Sequence, residues 1–122
     1  ALHVEQARAQ LSDAGADAGA DASTARRWSV ALGDARQLEY AAHSADAVLL
    51  LGPLYHLTQR ACRLSALKEA HRVLRPGGWL LLEHGYDQAA TVRSLLVEAG
   101  FAGVESREDL AGIERISGGQ WR

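Results

Sequence analysis

Ala45-Asp-Ala-Val-Leu-Leu-Leu51 is apolar at every position but Asp46, and Gly52-Pro53 closes the run. A run without polar alternation is the pattern of a strand buried on both faces, as in a parallel sheet covered by helices. From Thr58 to Arg75, Ala61, Leu64, Leu67, Ala70 or His71, and Leu74 recur at helical spacing, and Pro76-Gly77-Gly78 predicts the stop. Trp79-Leu-Leu-Leu-Glu83 reads as a further buried strand. Strand, helix and strand in succession are the unit of a layered α/β domain with a mostly parallel sheet.

Outward from this centre the pattern continues. Trp28 to Leu32, ended by Gly33-Asp34, predicts another strand. Before it, Val4, Ala7 and Leu11 suggest an amphipathic helix over residues 1–12, and the repeated Asp, Ala and Gly of 13–25 predict a flexible loop. On the other side, Asp87 is the expected N-cap of a helix whose Val92, Leu95, Leu96 and Ala99 face inward. Gly100 stands where a left-handed residue ends such a helix. The tail from Gly103 to Arg122 predicts a hairpin joined through Asp109 to Gly112.

The composition sets bounds. A chain of 122 residues, 48% hydrophobic, is the size of one domain. A formal net charge of −2 argues against a nucleic-acid binder, which needs a concentrated basic face. Arg60, Arg63, Lys68, Arg72 and Arg75 are interrupted by apolar positions and read as a solvated helix face. No apolar run approaches the roughly 20 residues that span a bilayer. The single cysteine, Cys62, permits no internal disulfide and fits a reducing, cytoplasmic setting. His3 and His43 have no neighbours at metal-ligand spacing, so no metal site is expected.

Gly33-Asp-Ala-Arg36, Asp46-Ala-Val-Leu-Leu-Leu-Gly-Pro-Leu-Tyr-His56 and Ala66-Leu-Lys-Glu-Ala-His-Arg-Val-Leu-Arg-Pro-Gly-Gly78 occur in that order and spacing. Together they resemble the middle of a class I S-adenosylmethionine-dependent methyltransferase, most like the small-molecule enzymes over residues 1–77. From about Gly78, Trp79-Leu-Leu-Leu-Glu-His-Gly-Tyr-Asp-Gln88, the helix ending Ala99-Gly-Phe101 and the tail Arg107-Glu-Asp-Leu-Ala-Gly-Ile-Glu-Arg115 resemble the C-terminal part of the release-factor glutamine methyltransferases. A junction of two related sequences near Pro76 to Trp79 is one reading of this change.

The resemblance implies a partial Rossmann-like domain. The family's N-terminal strand, its glycine-rich loop and the acidic end of its second strand have no counterpart in these residues. The Ala1 start, inside an expected helix, reads as a fragment: one incomplete domain over 1–122. Removal of the strands between the first two expected here leaves exposed strand edges, through which self-association is expected.

S-adenosylmethionine is the implied methyl donor, with Gly33, Asp34, Ala35, Leu51 and Gly52 at the family's cofactor positions. The Asp34 carboxylate would accept from the adenine amino group, and the Ala35 N–H would face the ring. Read locally, Asp34 simply closes a Gly-Asp turn; the flanking motifs favour the adenine role. Pro53, Tyr55 and His56 fall at the acceptor side, with Tyr55 and His56 as catalytic candidates and His56 as a base. Packing of Tyr55 or His56 under the next helix is the plainer alternative. The release-factor enzymes carry Asn-Pro-Pro-Tyr where this chain has Gly52-Pro53-Leu54-Tyr55.

The activity implied is therefore methyl transfer to a small-molecule or protein acceptor. Its alternatives are release-factor glutamine N5-methylation and a non-catalytic remnant of the fold. Glu83 and His84, adjacent on a strand, point to opposite faces and form no expected acid–base pair. His71 is expected to pack inside its helix, and Trp28, Trp79 and Trp121 are expected to serve packing.

Overall fold

A computed structural model describes residues 27–122. The helix and loop expected over 1–12 and 13–25 lie outside the described residues. The chain divides into two compact units, Ala1–Gly33 and Asp34–Arg122.

In the first unit, Trp28 to Leu32 forms no strand. This corrects the expectation drawn from its apolar run. A strand exists only where its backbone groups find a ladder, and no described strand pairs with these residues.

The second unit holds the strands and helices of the described residues. In chain order it contains β1 (Ala45–Leu50), α1 (Pro53–His56), α2 (Arg60–Val73), β2 (Leu74–Glu83), α3 (Ala89–Glu98), β3 (Ala102–Glu108) and β4 (Glu114–Gln120). The sheet order is β1-β2-β4-β3. β1 and β2 run parallel, connected through α2, while β2–β4 and β3–β4 are antiparallel. Among the described residues the sheet is thus mixed rather than mostly parallel, because the expected first strand is not formed. β1 lies at an edge of this sheet.

One face of the sheet carries the core. Leu80 and Leu82 of β2 point into it and are fully buried with Leu67 of α2 and Leu95 and Leu96 of α3. Each such leucine contributes roughly 1.5–3 kcal/mol by leaving water. Alternation places Trp79 and Leu81 on the other face, where they are exposed, as are Leu49 and Ile116.

Two boundaries differ from expectation. α2 ends at Val73 because Leu74 turns extended, is fully buried and pairs with Ala45. Pro76-Gly77-Gly78 therefore lies inside β2, where the register jumps from Ala45–Leu74 to Ala47–Trp79. The extra residues are held by Trp121: Gly77 N donates to its carbonyl at 2.7 Å and Trp121 N donates to Gly78 O at 2.9 Å. The N-cap of α3 is Gln88, not Asp87, since Gly85 N donates to the Gln88 side-chain oxygen at 2.7 Å and draws that residue to the turn. Gly100 is left-handed as expected, with φ of 104°, and the C-terminal hairpin forms with Asp109 at its turn.

Candidate functional site

Open α/β sheets bind ligands beyond the C-terminal ends of their parallel strands. Here those ends are Leu50 of β1 and Leu82–Glu83 of β2, side by side because Leu50 pairs with Leu82. The loops that leave them carry Leu51 to His56 and His84 to Gln88.

The first loop is set by two residues. Gly52 takes φ of 109°, the left-handed region that side chains disfavour, and so turns the chain out of β1. Pro53 then supplies the fixed φ of a first helical position in α1. Among the described residues no atom lies within 4 Å of where a Gly52 Cβ would stand, so they leave the backbone there open to an approaching ligand. Leu54 is fully buried and pins α1 to the core, while Leu51, Tyr55 and His56 remain exposed. Tyr55 is not free to rotate, however: its hydroxyl donates to the His84 carbonyl at 3.1 Å.

The second loop centres on His84, which is buried. Its Nδ1 lies 2.9 Å from the Gly85 carbonyl and its Nε2 2.8 Å from Ser117 Oγ. No local pattern signals the His84–Ser117 contact, because the two residues lie 33 positions apart. A cleft of about 480 Å³ opens beside this loop, lined in part by Tyr86, Asp87, Arg93 and Glu114.

Asp34, in the second unit, sits in a turn closed by Gln37 N donating to Asp34 O at 3.0 Å. Arg36 donates to both carboxylate oxygens, at 3.0 Å from Nε and 2.7 Å from Nη2, and its backbone N–H adds a third bond. These bonds, the guanidinium's first, hold the Asp34 carboxyl down to about 2. Asp34 thus closes a turn, and its carboxylate has Arg36 as a cationic partner. Ala35 packs against the core. The segment beyond is fastened to α2, since Arg72 donates to Leu38 O and Tyr40 O and Glu69 accepts from Leu38 N. Gly33 belongs to the first unit.

His71 is packed, as expected, edge-on to Phe101 and Trp121 at centroid distances of 5.1 and 5.2 Å. Burial pushes its pKa down. Among the described residues no group of three His, Cys, Asp or Glu side chains could hold a metal ion. No helix among them is long and apolar enough to cross a membrane.

A strand–helix–strand unit with ligand-facing loops at its C-terminal rim is the framework of the nucleotide-binding α/β enzymes. The methyltransferase domain model matches residues 2–82, and the chain belongs to that family of S-adenosylmethionine-dependent enzymes. The release factor glutamine methyltransferase of Burkholderia pseudomallei is 54% identical over 82 residues, covering 64% of this chain and 29% of the relative. That of Neisseria gonorrhoeae is 37% identical over 106 residues, covering 83% of this chain and 39% of the relative. The chain therefore spans well under half the length of these relatives. The family match runs through the Pro76 to Trp79 boundary.

Solved structures share the fold. A SAM-dependent methyltransferase from Aquifex aeolicus superposes with a TM-score of 0.59 at 15% identity, over 76% of this chain and 54% of that one. One from Methanosarcina mazei gives 0.54 at 17%, over 75% and 65%.

Proposed function

We propose that this chain carries the acceptor-side part of an S-adenosylmethionine-dependent methyltransferase, acting on a protein glutamine as its named relatives do on release factor. The observation that carries the reading is the paired rim, with the Gly52 and His84 loops on adjacent parallel strands and bound to each other through Tyr55. Leu51 and Gly52 would line the cofactor, where the open backbone of Gly52 leaves room for it. Pro53, Tyr55 and His56 would face the acceptor, with His56 exposed and able to take a proton. The cofactor supplies an electrophilic methyl group, and the protein's part is proximity, orientation and exclusion of water. Gly52 offers no side-chain amide to grip glutamine, so orientation falls to backbone groups of the 52–56 loop. The free thiol of Cys62 suits a cytoplasmic enzyme.

A second reading, a fold remnant without cofactor binding, is favoured by the Arg36 clasp on Asp34. Isothermal titration with S-adenosylhomocysteine separates the two. Binding heat that weakens in Gly52→Val supports the enzyme; no heat at high protein concentration supports the remnant. Methylation of release factor by the chain then tests the acceptor, and transfer only to small molecules would overturn the glutamine assignment.

A further inference from the structure

Behind the rim a line of polar groups, buried at His84 and Ser117 and half-buried beyond them, crosses three elements. Arg93 Nη1 of α3 donates to Ser106 Oγ of β3 at 2.7 Å and to Glu114 at 2.8 Å. Ser106 Oγ lies 2.6 Å from Ser117 Oγ of β4, and Ser117 Oγ lies 2.8 Å from His84 Nε2. His84 Nδ1 faces the Gly85 carbonyl. The two ends of this line have fixed polarity, because a guanidinium only donates and a carbonyl only accepts. One assignment then gives every hydroxyl a bond to donate and a bond to accept. Arg93 donates to Ser106, Ser106 to Ser117, Ser117 to Nε2, and Nδ1–H to Gly85 O.

We infer that His84 is a positioning residue for the acceptor loop, its ring locked in the Nδ1–H tautomer by this one-way relay. Gly85 is held through both of its backbone groups, its carbonyl by His84 Nδ1 and Gln88 N and its N–H, in the peptide that carries the His84 carbonyl, by the Gln88 side chain. The preceding carbonyl, that of His84, is the one Tyr55 donates to. A ring that cannot turn thus fixes the Gly85 carbonyl, one peptide beyond the one on which Tyr55 rests, and through that neighbour the exposed face of α1. The inference rests on the proposed function only in calling that loop the acceptor side.

The test uses the full chain, labelled with nitrogen-15, and does not depend on methyl transfer. Two-bond ring correlation spectra are expected to show His84 with a protonated Nδ1 and a bare Nε2. Ser117→Ala removes the donor to Nε2 with little change in shape. It is expected to mix the tautomers and to shift the Leu54, Tyr55 and His56 amide signals as far as Tyr55→Phe does, while Ser117→Thr restores the wild-type spectrum. Should Ser117→Ala not fold, Ser106→Ala breaks the relay one step earlier and is expected to act in the same direction. An Nε2–H tautomer, or unmoved Leu54–His56 signals in a folded variant, would overturn the inference. Absence of heat with S-adenosylhomocysteine would count against the proposed function alone.

Discussion

The Tyr55 hydroxyl and the His84 carbonyl, 29 residues apart in sequence, meet at 3.1 Å across the ends of two parallel strands. This bond couples the loop after β1 to the loop after β2. Without it, α1 would be held to the body by the burial of Leu54 and by the Arg63 guanidinium of α2, which donates to Leu54 O and Leu57 O.

Tyr55→Phe tests that coupling directly. The bond is partly buried and neutral, so its removal is expected to cost roughly 0.5–1.5 kcal/mol. Urea unfolding reads the loss as a lower midpoint with unchanged slope. A midpoint equal to wild type would show that the hydroxyl contributes nothing.

Leu80→Ala removes a fully buried side chain from the middle of the sheet's packed face. Such truncations cost about 2–5 kcal/mol through lost transfer energy and the cavity left behind. In a body this small that is a large part of the total stability. Leu81→Ala, one residue on and exposed, is expected to cost far less, and circular dichroism during thermal unfolding distinguishes the two.

Two glycines should fail for different reasons. A Cβ at Gly118 would stand 2.6 Å from Leu81 Cδ2 and 2.7 Å from Leu80 O, so Gly118→Ala forces β4 away from β2. A Cβ at Gly52 meets none of the described residues, yet φ of 109° strains any L-residue there by about 1–3 kcal/mol. Gly118→Ala is therefore expected to weaken amide protection along β2 and β4, and Gly52→Ala only around α1. Hydrogen exchange tells the patterns apart.

His71 gives the body a pH dependence with a definite sign. Burial, its first cause, and the nearby His43 depress its pKa below the ordinary value of 6.5, while its bond to Gly100 opposes them. The unfolded chain then binds the proton more readily than the folded one. Stability is present in full above about 6.5 and is lost as the pH falls from there through the folded pKa. Urea midpoints at pH 7.5 and 5.5 are expected to differ, and His71→Leu should reduce the difference.

Arg72 ties the segment after the Asp34 turn to α2 through Leu38 O, Tyr40 O and Glu69. Arg72→Lys keeps the charge but loses the forked donors. Faster amide exchange at Leu38 is the expected outcome, with the sheet unaffected.

Much of this architecture is legible in short windows of sequence. The apolar runs of 45–51 and 79–83, the helical period of Ala61 to Leu74, Gly100 and the hairpin turn at Asp109 all report local chemistry. Trp28 to Leu32 shows where that legibility ends, since its composition suits a strand but no described ladder takes it up. Pro76-Gly77-Gly78 looks like a stop, yet it sits within β2 because Trp121, from the far end of the chain, bonds across it.

The candidate site divides in the same way. Gly52-Pro53 sets the turn out of β1 by its own dihedral preferences, so its place at a strand end follows from the sequence alone. That Asp34 is clasped by Arg36, that Tyr55 rests on His84, and that His84 is locked through Ser117, Ser106 and Arg93 were decided only by the tertiary structure. Dihedral preference and burial are properties of a residue and its near neighbours. A hydrogen bond between distant groups depends on where separate strands and helices bring them, and no local pattern encodes that distance.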